Sequence, residues 1–269
     1  MFSKLDKITE ILSDVSERAI VPRFRNLSEG DVSYKKGGET VTIADTEAEV
    51  LLEKRLIDLF TGSQVVGEEK AASTPNILEK IDERELTWVI DPIDGTNNFA
   101  RGRDIFKTML ALLYQGETVA GWILSPVDKS MLEARKGEGA FWDGQRLDIT
   151  RSIKALDQSV GTLHGSKDQD PVIRKSLDKN RSRLNTVNTL RCAGADYERL
   201  ATSKTQFAFF TRLMPWDHLP GELIHREAGG YGACLDRTCY SFRAYNKQGL
   251  LLAPNEDLWD GIHQRLFNS

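Results

Sequence analysis

The chain has 269 residues, of which 40% are hydrophobic, 28% charged and 8% aromatic. Those values exclude an intrinsically disordered chain, a collagen and a coiled coil. Its 36 Lys and Arg against 40 Asp and Glu leave a net charge of -4, so it lacks the basic excess of a nucleic-acid polymer binder, though not a local pocket for a small anion.

The length fits one large domain or two tightly fused lobes. No run reaches the roughly 18 to 20 apolar residues of a membrane span. Asp6, Lys7, Glu10, Asp14, Glu17 and Arg18 interrupt any secretory leader. The odd, sparse set of Cys192, Cys234 and Cys239 fits a reduced compartment, and Cys234 and Cys239 have no second pair with which to hold zinc. The expectation is a cytoplasmic protein without membrane contact.

In chain order, Phe2, Leu5, Ile8, Ile11, Leu12 and Val15 recur at helical spacing, a stripe for the core or a subunit interface. Lys35, Lys36, Gly37 and Gly38 read as a loop. A helix is expected from Thr46 to Phe60, with Asp45 capping it from just outside. Gln64 to Val66 reads as a strand leading into Gly67-Glu68-Glu69, followed by a helical or loop insertion that holds Pro75. Leu86 to Ile90 reads as a buried strand that stops at Asp91-Pro92. Thr108 to Tyr114 and Val119 to Leu124 form a hairpin, and Met131 to Ala134 and Gly139 to Trp142 extend the meander. Beyond Thr150 strands and helices alternate. Thr186 to Leu190, Phe207 to Phe210 and Leu250 to Ala253 are expected strands, Tyr197 to Ala201 and Leu219 to Ala228 expected helices. The chain thus divides into lobes at 1–150 and 151–269, layered sheets and helices of the α/β or α+β class that complete one site.

Acids mark that site. Asp91 and Asp94 follow a hydrophobic strand in Asp91-Pro92-Ile93-Asp94-Gly95-Thr96. Pro92 stiffens the backbone and Gly95 permits a tight turn. Two carboxylates and the Ile93 carbonyl are then held about one point, as a hard divalent cation requires. Glu68-Glu69 and Trp216-Asp217 also stand at strand ends or helix mouths. Taken alone, Glu68-Glu69 is more often a solvated turn and Asp217 more often a helix cap. Together, at the common edge of a layered fold, they would repel one another unless cations neutralised them.

These segments, with Thr42-x-x-Asp45 and Glu227-Ala228-Gly229-Gly230, resemble the inositol monophosphatase family of lithium-sensitive, magnesium-dependent phosphatases, which includes fructose bisphosphatases and bisphosphate nucleotidases. The resemblance runs from about residue 40 to 230 and implies an αβαβα sandwich. It implies that Glu68, Asp91 and the Ile93 carbonyl hold one Mg²⁺, and that Asp91, Asp94 and Asp217 hold a second. Glu68 would also help a third ion through water. Thr96, supported by Asp45, would activate the attacking water, and the amides of Gly95 and Thr96 would cradle phosphate. Asp94, Gly194, Ala195, Asp196 and Asp217 are carried over as substrate contacts, and a homodimer is expected.

The chain departs from the family where polyol hydroxyls are bound. Asp196 stands where a small residue is usual, and Phe207 to Pro215 contains no acid. Arg212 there favours a second anionic group. None of His164, His218, His225 and His263 sits in a catalytic motif, although His218 follows Asp217. The expected reaction is hydrolysis of a small phosphorylated metabolite, nominally inositol monophosphate, by water activated by two or three metal ions without a covalent intermediate. Histidinol phosphate, a 3′(2′),5′-bisphosphate nucleotide and fructose 1,6-bisphosphate are alternative substrates. A regulatory protein that keeps the metal cage and binds a phosphorylated ligand is the non-enzymatic alternative.

Overall fold

The structure, a computed structural model, describes residues 2–74, 76–165 and 170–268. Pro75, expected inside the insertion after Glu69, lies outside them. Two sheets organise the chain. The larger holds β3 (Gln64–Gly67), β4 (Leu86–Asp94), β5 (Lys107–Tyr114), β6 (Glu117–Leu124), β7 (Met131–Arg135), β8 (Gly139–Trp142) and β9 (Gln145–Arg146), side by side in chain order. Only β3 and β4 run parallel. The smaller, ordered β11-β10-β12-β14-β13, comprises β10 (Val160–Leu163), β11 (Asn185–Thr186), β12 (Phe207–Phe210), β13 (Tyr231–Cys234) and β14 (Leu250–Ala253). Ahead of both lies a small hairpin, β1 (Val32–Tyr34) and β2 (Thr40–Thr42), whose turn carries the predicted Lys35–Gly38 loop.

Side-chain alternation sets the layers, because successive strand residues point to opposite faces. In β5, Leu110 and Leu112 join one apolar cluster and Met109, Ala111 and Leu113 another. The first is covered by α1 (Ile8–Val15) and α2 (Ile43–Leu59), the second by α6 (Ala193–Ala201) and α7 (Pro215–Glu227). In β12, Ala208 and Phe210 meet those same middle helices, whereas Phe207 and Phe209 face α8 (Glu256–Phe267), which packs beside α5 (Pro171–Asn180). The result is a five-layer αβαβα sandwich. Two short helices, α3 (Glu68–Ser73) and α4 (Thr96–Ala100), lead out of β3 and β4.

Several expectations need correction. Leu5, Ile8, Leu12 and Val15 are at most 1% exposed and join the apolar cluster with α2 and β6, so these four residues of the N-terminal stripe serve the core, one of the two roles expected of it. The second helix begins at Ile43, which places Asp45 in its first turn; its carboxylate bonds back to the Thr42 amide at 2.8 Å in a capping box. Strand β4 continues to Asp94 through a register shift between Asp91 and Asp94, a bulge that tolerates Pro92. Helix α7 starts at Pro215, so Asp217 lies inside its first turn rather than ahead of it. The strand expected at Thr186–Leu190 shrinks to Asn185–Thr186, because the Leu190 amide turns to the Asp196 carboxylate at 3.1 Å.

Candidate active site

The ends of β3, β4 and the start of α7 meet at a cavity of about 450 Å³ lined by Glu68, Asp91, Ile93, Asp94, Gly95, Thr96 and Asp217, with Arg101, Arg103, Arg191 and Arg212 on its walls. One carboxylate oxygen each from Asp91, Asp94 and Asp217 falls within 4.8 Å of the others. Three such oxygens at that spacing form a donor set that fits a hard divalent cation.

The bulge in β4 aims the acids. The Ile93 amide donates to Asp91 Oδ1 at 3.0 Å, and Thr108 Oγ1 holds the Pro92 carbonyl at 2.8 Å. Asp94 is clamped from the other half of the chain, accepting from the Gly194 amide at 2.6 Å and from the Cys192 thiol at 3.2 Å. Gly95 then reverses the chain at φ 91°, where a Cβ would lie 2.9 Å from the Ile105 carbonyl oxygen; only glycine fits that conformation and that space.

Burial and mutual repulsion set the electrostatics of the cluster. Burial, followed by the charges of Glu68, Asp94 and Asp217, raises the Asp91 pKa well above the carboxylate range. Burial does the same for Asp217, with Asp94 and Glu68 adding to it. Asp94 is also raised by burial, although the Gly194 amide and Cys192 thiol pull the other way. Burial and like charge disfavour the ionised forms of these acids; a divalent cation held among them would favour those forms.

Beside the cluster, Thr96 Oγ1 lies 3.1 Å from Asp45 Oδ1 and 2.9 Å from the Ile93 carbonyl oxygen. Burial lifts Asp45 to about 6, against the bonds from Thr42. This pair faces the cavity through Thr96 and can take up a proton there.

Glu68 lines the cavity, but its Oε1 is 2.9 Å from Lys35 Nζ, which also reaches Glu69 Oε1 at 2.8 Å. Burial opposes the Lys35 charge, yet the two glutamates raise its pKa. Burial and Glu68 lift Glu69 to about 8. The sequence reading missed Lys35, whose partners are distant in the chain; the neighbouring Glu68-Glu69 pair is the signal that a cation is needed there.

The predicted substrate residues divide. Asp94, Gly95, Thr96 and Asp217 line the cavity, while Gly194, Ala195 and Asp196 do not. Asp196 is 1% exposed and binds the Leu190 amide and Arg199, with His164 Nε2 3.0 Å away at an angle that makes no hydrogen bond. It holds a loop and offers nothing to a polyol. His218 also points away, Nδ1 to the Tyr197 hydroxyl at 3.0 Å and Nε2 to the Arg212 carbonyl at 2.8 Å. Burial lowers its pKa to about 3, which keeps the ring neutral.

Comparison with known proteins agrees with this architecture. The profile of the inositol monophosphatase family matches residues 4–268. An inositol-1-monophosphatase of Mesorhizobium japonicum is 30% identical over 221 residues, 81% of each chain. A fructose-1,6-bisphosphatase/inositol-1-monophosphatase of Thermotoga maritima is 30% identical over 198 residues, 73% of this chain and 72% of that one. The solved extragenic suppressor protein SuhB of Bartonella henselae superposes with a TM-score of 0.82 at 22% identity and covers 99% of each chain. The chain therefore belongs to the inositol monophosphatase family and is a phosphatase, a phosphoric monoester hydrolase.

Proposed function

We propose that this phosphatase hydrolyses a small phosphorylated metabolite, nominally inositol monophosphate, by direct attack of water and without a covalent enzyme intermediate. The observation that carries the reading is the cavity lined by Asp91, Asp94 and Asp217 and by Thr96, whose hydroxyl is bonded to Asp45 behind it. Asp91, Asp94, Asp217, Glu68 and the Ile93 carbonyl would hold two or three Mg²⁺. Bound there, the ions lower the pKa of water and neutralise charge on the ester.

The protein supplies the rest. Thr96 Oγ1 accepts a hydrogen bond from the attacking water while its own proton points to Asp45, so the water is oriented with its lone pair toward phosphorus. Asp45, at about 6, is a base matched to neutral pH. The amides of Gly95 and Thr96, residues that line the cavity, would hold phosphate oxygens. No serine, cysteine or histidine nucleophile is needed; the Cys192 thiol is buried and its pKa is raised by burial and by Asp94.

In this reading the protein works in the cytoplasm as a homodimer, and millimolar Li⁺ inhibits it, as does Ca²⁺, whose looser coordination misplaces the water. The test is phosphate release from inositol, histidinol, nucleotide and sugar phosphates with Mg²⁺ and with EDTA. Mg²⁺-dependent release from at least one ester is expected. Retained ligand binding with no turnover on any of them would show a regulatory protein instead.

A further inference from the structure

The metal-ligand cavity also holds arginines to which the hydrolytic reaction above gives no role. Arg101, Arg103, Arg191 and Arg212 all line it, and they come from three separate stretches of the chain. Arg212 is paired with Glu39. Among the described residues, the guanidinium groups of Arg101, Arg103 and Arg191 make no hydrogen bond or ion pair with protein. Three charged forks that line one cavity and pair with none of its carboxylates are a recognition surface for an anion.

The surface is preorganised from below. Buried Asn98 donates from Nδ2 to the Ile105 carbonyl and to the Leu190 carbonyl, both at 2.9 Å. One side chain thereby ties the loop of Arg101 and Arg103 to the loop of Arg191. Arg191 itself is held at φ 56°, a left-handed conformation that a non-glycine residue adopts only under constraint. His218 fixes the Arg212 carbonyl at 2.8 Å.

We propose that these arginines select a phosphate ester with a second anionic group, a phosphate or a carboxylate, on the leaving side of the molecule. This rests on the phosphatase reading above and deepens it. Asp91, Asp94 and Asp217 are the ligands that cations would satisfy, so they cannot also neutralise the arginines once the site is loaded. A substrate with one phosphate leaves these arginines unpaired; one with two anions engages them as well. An ester carrying an ammonium, such as histidinol phosphate, meets repulsion there.

The experiment compares matched pairs with the Mg²⁺-loaded enzyme: fructose 1-phosphate against fructose 1,6-bisphosphate, and glycerol 3-phosphate against 3-phosphoglycerate. Wild-type kcat/KM should favour the doubly anionic member by about tenfold or more, the size of one charge-assisted hydrogen bond. The pair with the larger preference identifies phosphate or carboxylate. In Arg103→Gln and Arg191→Gln the preference should fall several-fold, chiefly through KM, and Arg191→Lys should restore part of it. Hydrolysis of all four esters without preference for the second anion overturns the inference and leaves the phosphatase reading intact. A preference that persists unchanged in both glutamine variants also overturns it, as does an equal loss on both members of a pair, which would place the arginines on the reacting phosphate. Failure to hydrolyse any phosphomonoester in the wider panel would instead sink the phosphatase reading.

Discussion

Asp91 is the residue on which opposing demands meet. It is 2% exposed, lies beside Asp94 and Asp217, and binds the Ile93 amide. Asp91→Asn keeps shape and volume but removes charge from the centre of the cluster. We predict a loss of kcat on the order of a thousandfold. The melting temperature in EDTA should stay equal to wild type or rise, because one of several repelling carboxyls is gone. A variant that melts clearly lower in EDTA would show Asp91 to be a structural residue. Thr96→Val tests the proton path in the same way. Loss of the hydroxyl should lower kcat by roughly 10²- to 10⁴-fold with little change in KM; a rise in KM alone would make Thr96 a binding residue only. The chain pattern around these residues was legible, since Asp91, Asp94, Thr96 and Asp45 carry their local geometry in adjacent Pro, Gly and Thr residues. Lys35 and the arginine wall were not, because no short spacing links position 35 to 68 or position 103 to 191. Asp196 was misread for a related reason: its partners, Leu190 and Arg199, become visible only when the loop closes.

Helix α7 shows both the strength and the limits of periodicity. The expected helix from Leu219 to Ala228 covers most of it but omits the first turn, although Pro215 at the first helical position is a start signal. Helix α8 was overlooked even though Leu258, Trp259, Ile262 and Leu266 form a buried stripe and Asn255 accepts from the Leu258 amide at 2.9 Å. Helix α5, mostly polar, has a weaker signal of that kind. The sheet strands were read well because their apolar runs are long, and β4 was cut short only where its bulge interrupts the pattern. Within α7, His225 Nε2 donates to the Ala253 carbonyl, 2.9 Å away, and burial lowers its pKa to about 4. The unfolded chain takes up that proton near 6.5. His225 therefore supports the fold fully above pH 6.5 and loses that contribution as pH falls toward 4. The share lost at pH 5 is about 2 kcal/mol. Urea midpoints at pH 7 and pH 5 should fall for wild type relative to His225→Gln, which cannot titrate. Parallel pH dependence in the two proteins would refute the assignment.

At the scale of the whole molecule, the site is the seam between two sheets. Asp91 and Asp94 end a strand of the larger sheet, and Asp217 begins a helix that follows β12 of the smaller one. A cation held among them should therefore act on folding as a whole. Mg²⁺ at a hundredfold excess over its dissociation constant would add about 2.7 kcal/mol, which corresponds to a melting-temperature rise of several degrees for a chain of this size. Differential scanning calorimetry should show the rise in wild type and its loss in Asp91→Asn; an equal rise in both would place the ion elsewhere. Asp94 also takes its amide partner from Gly194, a residue translated long after it. A nascent polypeptide leaving the ribosome must carry its acidic strand end without that clamp and without Asp217. Any truncation ahead of α7 consequently yields a product unable to mature its catalytic centre, however much of the larger sheet has already formed.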